Sequence, residues 1–142
     1  MTIHSIFVAN ANGVVLFSKL FSAINLSKEI FFESSGYWST SRKVSLTLSG
    51  DVIAFMDRSG DFLIFTCGTD ESDEVILSSV SDAIRGVLID LLGGEEKLTE
   101  AALLDAEMYG RFAVCVEEIV SHGIVETLDV GEVMRLAKLK NG

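Results

Sequence analysis

Residues Asp70, Glu71, Asp73 and Glu74 place four carboxylates within five positions, directly after an aromatic-rich apolar run. Such a cluster could be a divalent-cation cage or a set of acid–base carboxylates. A calcium loop needs alternating oxygen ligands, a turn glycine among them and a distant bidentate glutamate. Here Gly68 precedes the acids and no glutamate stands at the required distance. The stretch reads instead as the start of a helix. Ser72 is positioned to cap it, and Asp73 and Glu74 fall in its first turn. Carboxylates there offset exposed amide dipoles by roughly 0.3–1 kcal/mol each.

The other reactive side chains read as structural. His4 alternates along a first strand and is expected to face solvent or a partner. His122 stands beside Gly123 at an expected helix C-terminus, where an imidazolium is favoured. Neither histidine has a Ser or Cys near it in a nucleophile motif. Cys67 and Cys115 sit 48 positions apart in apolar runs, without a Cys-x-x-Cys partner, and read as buried free thiols. Glu117 and Glu118 are adjacent on a helix, so they point in different directions and share no site. The turn from Asn10 to Gly13 lacks the following helix that a phosphate-binding loop requires. No catalytic residue, metal ligand or cofactor site emerges, and the chain reads as a non-enzyme.

Composition sets the frame. The chain has 142 residues, enough for one domain over 1–142 with a real core. Hydrophobic residues make up 49% and charged residues 23%, an ordinary globular balance that excludes a disordered chain. A formal net charge of −10 argues against nucleic acid as a partner and against direct attraction to anionic lipid. Any membrane contact is therefore expected to run through protein partners. The longest apolar runs are five residues, Val52–Met56 and Phe112–Val116, far short of the roughly 20 that span a bilayer. The N-terminus lacks the basic flank and cleavage site of a signal peptide, so cytoplasmic residence is expected.

The elements that would position these residues follow from periodicity. Residues 3–9 and 14–20 read as strands joined by Asn12-Gly13, a strong hairpin signal because both residues tolerate positive φ. A short helix is expected over 25–33 and a turn-rich loop over 34–41. Strands follow at 43–48, 52–56 and 61–68. From Asp73 the apolar positions shift to helical spacing and stop at Gly93-Gly94. A second helix is expected from about Thr99 to Ser121, and a last short one after a capping-box-like start at Asp129. Strands first and helices later predict an α+β fold with a mostly antiparallel sheet. Tyr37 and Trp38 lie in the Gly/Ser loop, either as exposed interface anchors or folded back onto the sheet.

Four stretches together carry a family resemblance. They are residues 6–19, with the opening strand, Asn/Gly turn and lysine-ended second strand; 58–70, a small-Gly-x-aromatic hairpin running into acids; 112–127, a valine, an acidic pair and a Gly-x-Val-x-Thr-like tail; and the closing helix over 130–138. In this order the chain resembles the longin-like small subunit of heterotetrameric vesicle-coat adaptors and the related small coatomer chain. The likeness is weakest over 22–43. It implies a longin/SNARE-like five-stranded sheet with helices on both faces and extra C-terminal helices. It also implies a large adaptor chain and other coat subunits as partners, with no chemistry of its own.

Some relatives bind acidic dileucine sorting signals, and that role carries over poorly. The family's basic residue in the second strand is matched by Leu16, the pocket alanine by Ser59 and the following leucine by Asp61. Ile84 replaces a valine and could still serve, while another lining leucine falls near Asp105. An acid in an apolar pocket repels both the leucines and the signal's own acid. This divergence points to an outlying branch, for which the small chain of the TSET/TPLATE-type coat is a candidate. The alternative is a longin domain of a tether or GTPase exchange factor that binds a small GTPase.

Overall fold

Strand β1 (Ile3–Ala9) is buried at every position, although His4 and Ser5 are polar. Its place in the sheet explains this. The computed structural model describes residues 3–21, 43–47, 52–69 and 74–141, and within them five strands hydrogen-bond in the order β2-β1-β5-β4-β3. The others are β2 (Val15–Leu20), β3 (Lys43–Thr47), β4 (Val52–Ser59) and β5 (Phe62–Thr69). Every pairing is antiparallel. Strands β1 and β5 stand inside that order, and residues of both their faces are buried.

The pleat sorts side chains onto two faces. Ile6, Val8, Phe55, Phe62 and Ile64 point toward the helices, while Phe7, Ala9, Ala54, Met56, Leu63, Phe65 and Cys67 form a second buried cluster. On that second face Phe7 and Phe65 stack with centroids 4.4 Å apart. A bulge breaks the alternation in β2. Val8 pairs with Phe17 and Ala9 with Val15, so Leu16 is the extra residue, and Leu16 and Phe17 both enter the helix-side core.

The expected hairpin is present. Asn10 Oδ1 accepts from the amides of Asn12 and Val14 at 2.9 and 3.0 Å, and Gly13 has φ +85°. Strand β4 runs to Ser59, beyond the end read from sequence, and turns through Gly60 and Asp61.

Helix α1 (Glu74–Leu92) buries Leu77, Val80, Ala83, Ile84, Val87 and Leu88. A shared pair of buried hydroxyls, Thr66 and Ser81 at 2.7 Å, joins it to β5. It ends where Gly93 and Gly94 both donate to the Ile89 carbonyl, at 2.9 and 3.0 Å. A 3-10 turn (Glu95–Lys97) follows, then α2 (Glu100–Leu103), capped by Thr99.

The single helix expected from Thr99 to Ser121 is broken. Asp105 starts a new one, α3 (Ala106–Ile119), its Oδ1 accepting from the amides of Glu107 and Met108 at 3.1 Å each. Beyond it Val120 and Ser121 are not helical. They form β6 (Val120–Ser121), which pairs with β7 (Ile124–Val125). Helix α4 (Val130–Asn141) starts as read: Asp129 Oδ1 accepts from Glu132 N at 3.1 Å.

Helices α1, α3 and α4 share one core with one face of the sheet. Phe17 of β2 meets Tyr109 and Phe112 of α3 edge-on, at 5.8 and 4.8 Å. The helix expected over residues 25–33, and with it the second helical layer, lies outside the described residues.

The Gly60 turn is locked onto the chain after α1. Asp61 N donates to Leu98 O at 3.0 Å, and a Cβ on Gly60 would stand 2.6 Å from Leu98 Cβ. Gly60 also has φ +56°. Gly60→Ala is therefore expected to destabilise the fold by about 2–4 kcal/mol, from left-handed strain and overpacking together. Gly110→Ala in α3, where a Cβ meets nothing within 4 Å, is expected to stabilise it by about 0.5–1 kcal/mol. Urea unfolding of the two variants checks both signs.

Candidate interaction surface

The residues singled out for chemistry have structural duties. His4, expected to face solvent or a partner, is buried, 8% exposed; its Nδ1 lies 3.1 Å from Ser5 Oγ. Burial lowers its pKa and favours the neutral ring. His122 is not at a helix end. Val120 is the C-cap of α3, and His122 sits in the β6–β7 turn at φ +52° beside Gly123 at +81°. Burial pushes the Cys67 thiol up to about 12. It pushes Cys115 up to about 11, with Asp90 and Glu118 adding repulsion. Both cysteines are free and buried, as the apolar runs around them imply, and thiols so shifted are poor nucleophiles.

Glu117 and Glu118 go to different partners. Lys19 Nζ reaches Glu117 at 3.3 Å, and Lys140 Nζ lies 2.5 Å from Glu118 Oε1. Among the described residues no group of three or more His, Cys, Asp or Glu could hold a metal ion. Glu74 occupies the first turn of α1, while residues 70–73, including the expected cap Ser72, lie outside the described residues.

The positions matching the family's cargo pocket are spread over core and turns. Leu16, the bulge residue of β2, is 8% exposed, and Ile84 is fully buried on the core side of α1. Ser59 is buried and its Oγ accepts from Arg85 Nε at 2.7 Å; Arg85 also pairs with Glu95 at 2.6 Å. Asp61 is exposed in the β4–β5 turn, and Asp105 is spent on capping α3. Tyr37 and Trp38 lie outside the described residues.

Two clefts open elsewhere. One, of about 620 Å³, lies where the end of β2 meets the β6–β7 hairpin and is lined by Lys19, Phe21, Glu117, His122 and Lys140 among others. The other, of about 570 Å³, lies between α1, α3 and α4. Neither includes Leu16, Ser59, Asp61 or Ile84. Large apolar side chains also face solvent, with Val75 and Leu139 each 69%, Ile124 58% and Val14 53% exposed. This surface suits a binding module better than a reaction centre. No described helix is long and apolar enough to cross a membrane.

No family model matches the chain. It is 29% identical over 147 residues to the TSET complex member tstD of Dictyostelium discoideum, an alignment covering 98% of this chain and 94% of that protein. A chain of a homology model of the full-length AP-3 complex in a stretched open conformation superposes with a TM-score of 0.69. That match is 16% identical and covers 98% of this chain and 93% of the other. A Roadblock/LC7 domain from Streptomyces avermitilis matches at 15% identity and a TM-score of 0.46, over 63% of this chain and 88% of its own. The fold is longin-like, and the resemblance to a small adaptor subunit read from the sequence is borne out.

Burial of His4 has a measurable sign. Its folded-state pKa lies below the ordinary value of 6.5, so as pH falls through 6.5 the unfolded chain takes up the proton first. This contribution to stability is complete above 6.5 and is lost as pH falls toward the lowered folded value. His4→Gln is expected to flatten the stability profile over that window. Urea midpoints measured across it for both proteins check this.

Proposed function

We propose that the chain is a non-catalytic small subunit of a vesicle-coat or adaptor complex, binding a large adaptor chain and stabilising the assembly. The observation that carries this is the end-to-end similarity to tstD, whose name makes it a member of the TSET complex. The longin-like fold supports it, as does the placement of Asp105, Glu117, Glu118, His4, Cys67 and Cys115 in a cap, ion pairs and core. On this reading the protein is cytoplasmic and reaches membranes only as part of the complex. Its negative charge favours that indirect route.

Affinity purification of the tagged chain, with identification of what co-purifies, tests the reading. A large coat chain is expected in stoichiometric amount. Recovery of GTPase regulators or a small GTPase alone would replace the adaptor reading with that of a tether or exchange-factor domain. Tyr37 and Trp38 belong to the proposed docking face, as paired amphipathic aromatics in a Gly/Ser stretch. Replacing both with alanine is expected to weaken retention of the large chain by about tenfold or more.

Leu16, Ser59, Asp61 and Ile84 are proposed as the remnant of a cargo pocket that no longer takes acidic dileucine signals. Leu16 and Ile84 are packed into the core, Ser59 is bonded to Arg85, and Asp61 sets an acid where an apolar side chain would be needed. A fluorescent acidic dileucine peptide is expected to show no saturable binding to the purified complex in polarisation measurements. Saturable binding abolished by Ile84→Ala would restore the cargo role.

A further inference from the structure

The groove between the three packed helices combines an apolar lining with a cationic rim. Leu91 of α1, Cys115 of α3, and Met134 and Ala137 of α4 line it, and all four are buried or half-buried. At its bottom the Cys115 and Met134 sulfurs lie 3.9 Å apart. The remaining lining residues are Arg111, Arg135 and Lys138, all exposed. Three of the chain's eleven cations thus gather at one apolar opening, in a molecule of net charge −10, and no acid lines it.

The acids nearby do not cancel this. Glu107 pairs with Arg111 at 2.7 Å and Glu132 with Arg135 at 2.6 Å, both on the helix surface. The Glu132–Arg135 pair is bidentate, Nε to Oε2 at 3.0 Å beside Nη2 to Oε1 at 2.6 Å, but both pairs are solvent-screened, so an incoming carboxylate can compete for the guanidinium groups. Asp90 and Glu118 lie close enough to oppose ionisation of Cys115, but neither borders the groove. Among the described residues Lys138 has no ion-pair partner.

We propose that this groove receives one face of an amphipathic helix from a protein partner, with apolar residues inward and Asp or Glu along the flanks. The cations select the acids. The walls select a helix over an extended strand. Amides and carbonyls within α3 and α4 are used in their own ladders, so a strand laid there would find no backbone partners, whereas a helix brings its bonds with it. Arg111 and Cys115 on one wall, and Met134 and Lys138 on the other, stand one turn apart, the ridge spacing that accepts side chains of a third helix. The flexible thioether of Met134 adapts to what enters. The inference stands apart from the adaptor reading and holds whichever protein supplies the helix.

The probe is a fluorescein-labelled 18-residue peptide designed as a helix, with leucines along one face and glutamates beside them, read by polarisation against the full chain. Saturable binding is expected, with chemical-shift changes centred on the Leu91, Met134 and Ala137 methyls of the wild-type protein. Arg135→Glu with Lys138→Glu is expected to raise Kd at least about tenfold. Two control peptides, one with lysines for the glutamates and one with two central prolines, are expected not to bind. Equal binding by the lysine peptide would overturn the charge argument, and equal binding by the proline peptide would overturn the helix. Shift changes centred elsewhere, an unaffected double variant, or no binding of the acidic peptide would overturn the proposal outright. So would a concentration-dependent dimer, seen in sedimentation and abolished by the double variant, because the occupant would then be a second copy of the chain.

Discussion

Helix α1 must be buried on two sides at once, and the rest of the architecture depends on how that is achieved. Its lower stripe lies on β4 and β5; its other flank carries α3 and α4. The Thr66–Ser81 hydroxyl pair satisfies polar groups that burial would otherwise penalise, and it fixes the height of α1 on the strands. On the far side Gly86 leaves room for Val130 at the start of α4: a Cβ there would stand 2.8 Å from Val130 Cγ2. Without that vacancy α4 could not approach α1. The core residues of α4, Val133 and Ala137, would then lose the cover that now leaves them 0% and 4% exposed.

Much of this was legible in the sequence where local chemistry decides. The Asn-Gly hairpin, the glycine stop after α1 and the Asp129 cap each rest on a few residues whose backbone preferences are strong, and each is present. What was not legible depends on distant neighbours. Alternation along β1 set His4 toward solvent or a partner, but the strand's central place buries it. The bulge that turns Leu16 inward is set by pairing with β1, not by any signal within β2. Asp105 read as a misplaced acid in a pocket, whereas it interrupts one apparent helix to start another. The three-cation groove draws on residues 91, 111 and 135–138, and no spacing in the chain shows that they converge.

The same logic accounts for the absorbed reactive groups. Adjacent glutamates look like a catalytic pair only until Lys19 arrives from β2 and Lys140 from α4, each taking one. Arg85 spans Ser59 and Glu95, so the end of β4, the middle of α1 and the turn after it are held by one guanidinium. Polar chemistry here joins elements together, consistent with a protein whose surface and shape are its working parts.

The amide of Ile3 donates to the carbonyl of Gly123 at 2.7 Å, so the first strand is tied to a hairpin formed near the other end of the chain. Strand β1 has its neighbour β2 close in sequence, but β5 stands some sixty residues away and Gly123 twice as far. The β1–β2 hairpin thus keeps apolar surface open until segments distant in sequence close over it. The loop entropy of so distant a closure must be met before the contact rewards it, which slows folding of a sheet built this way.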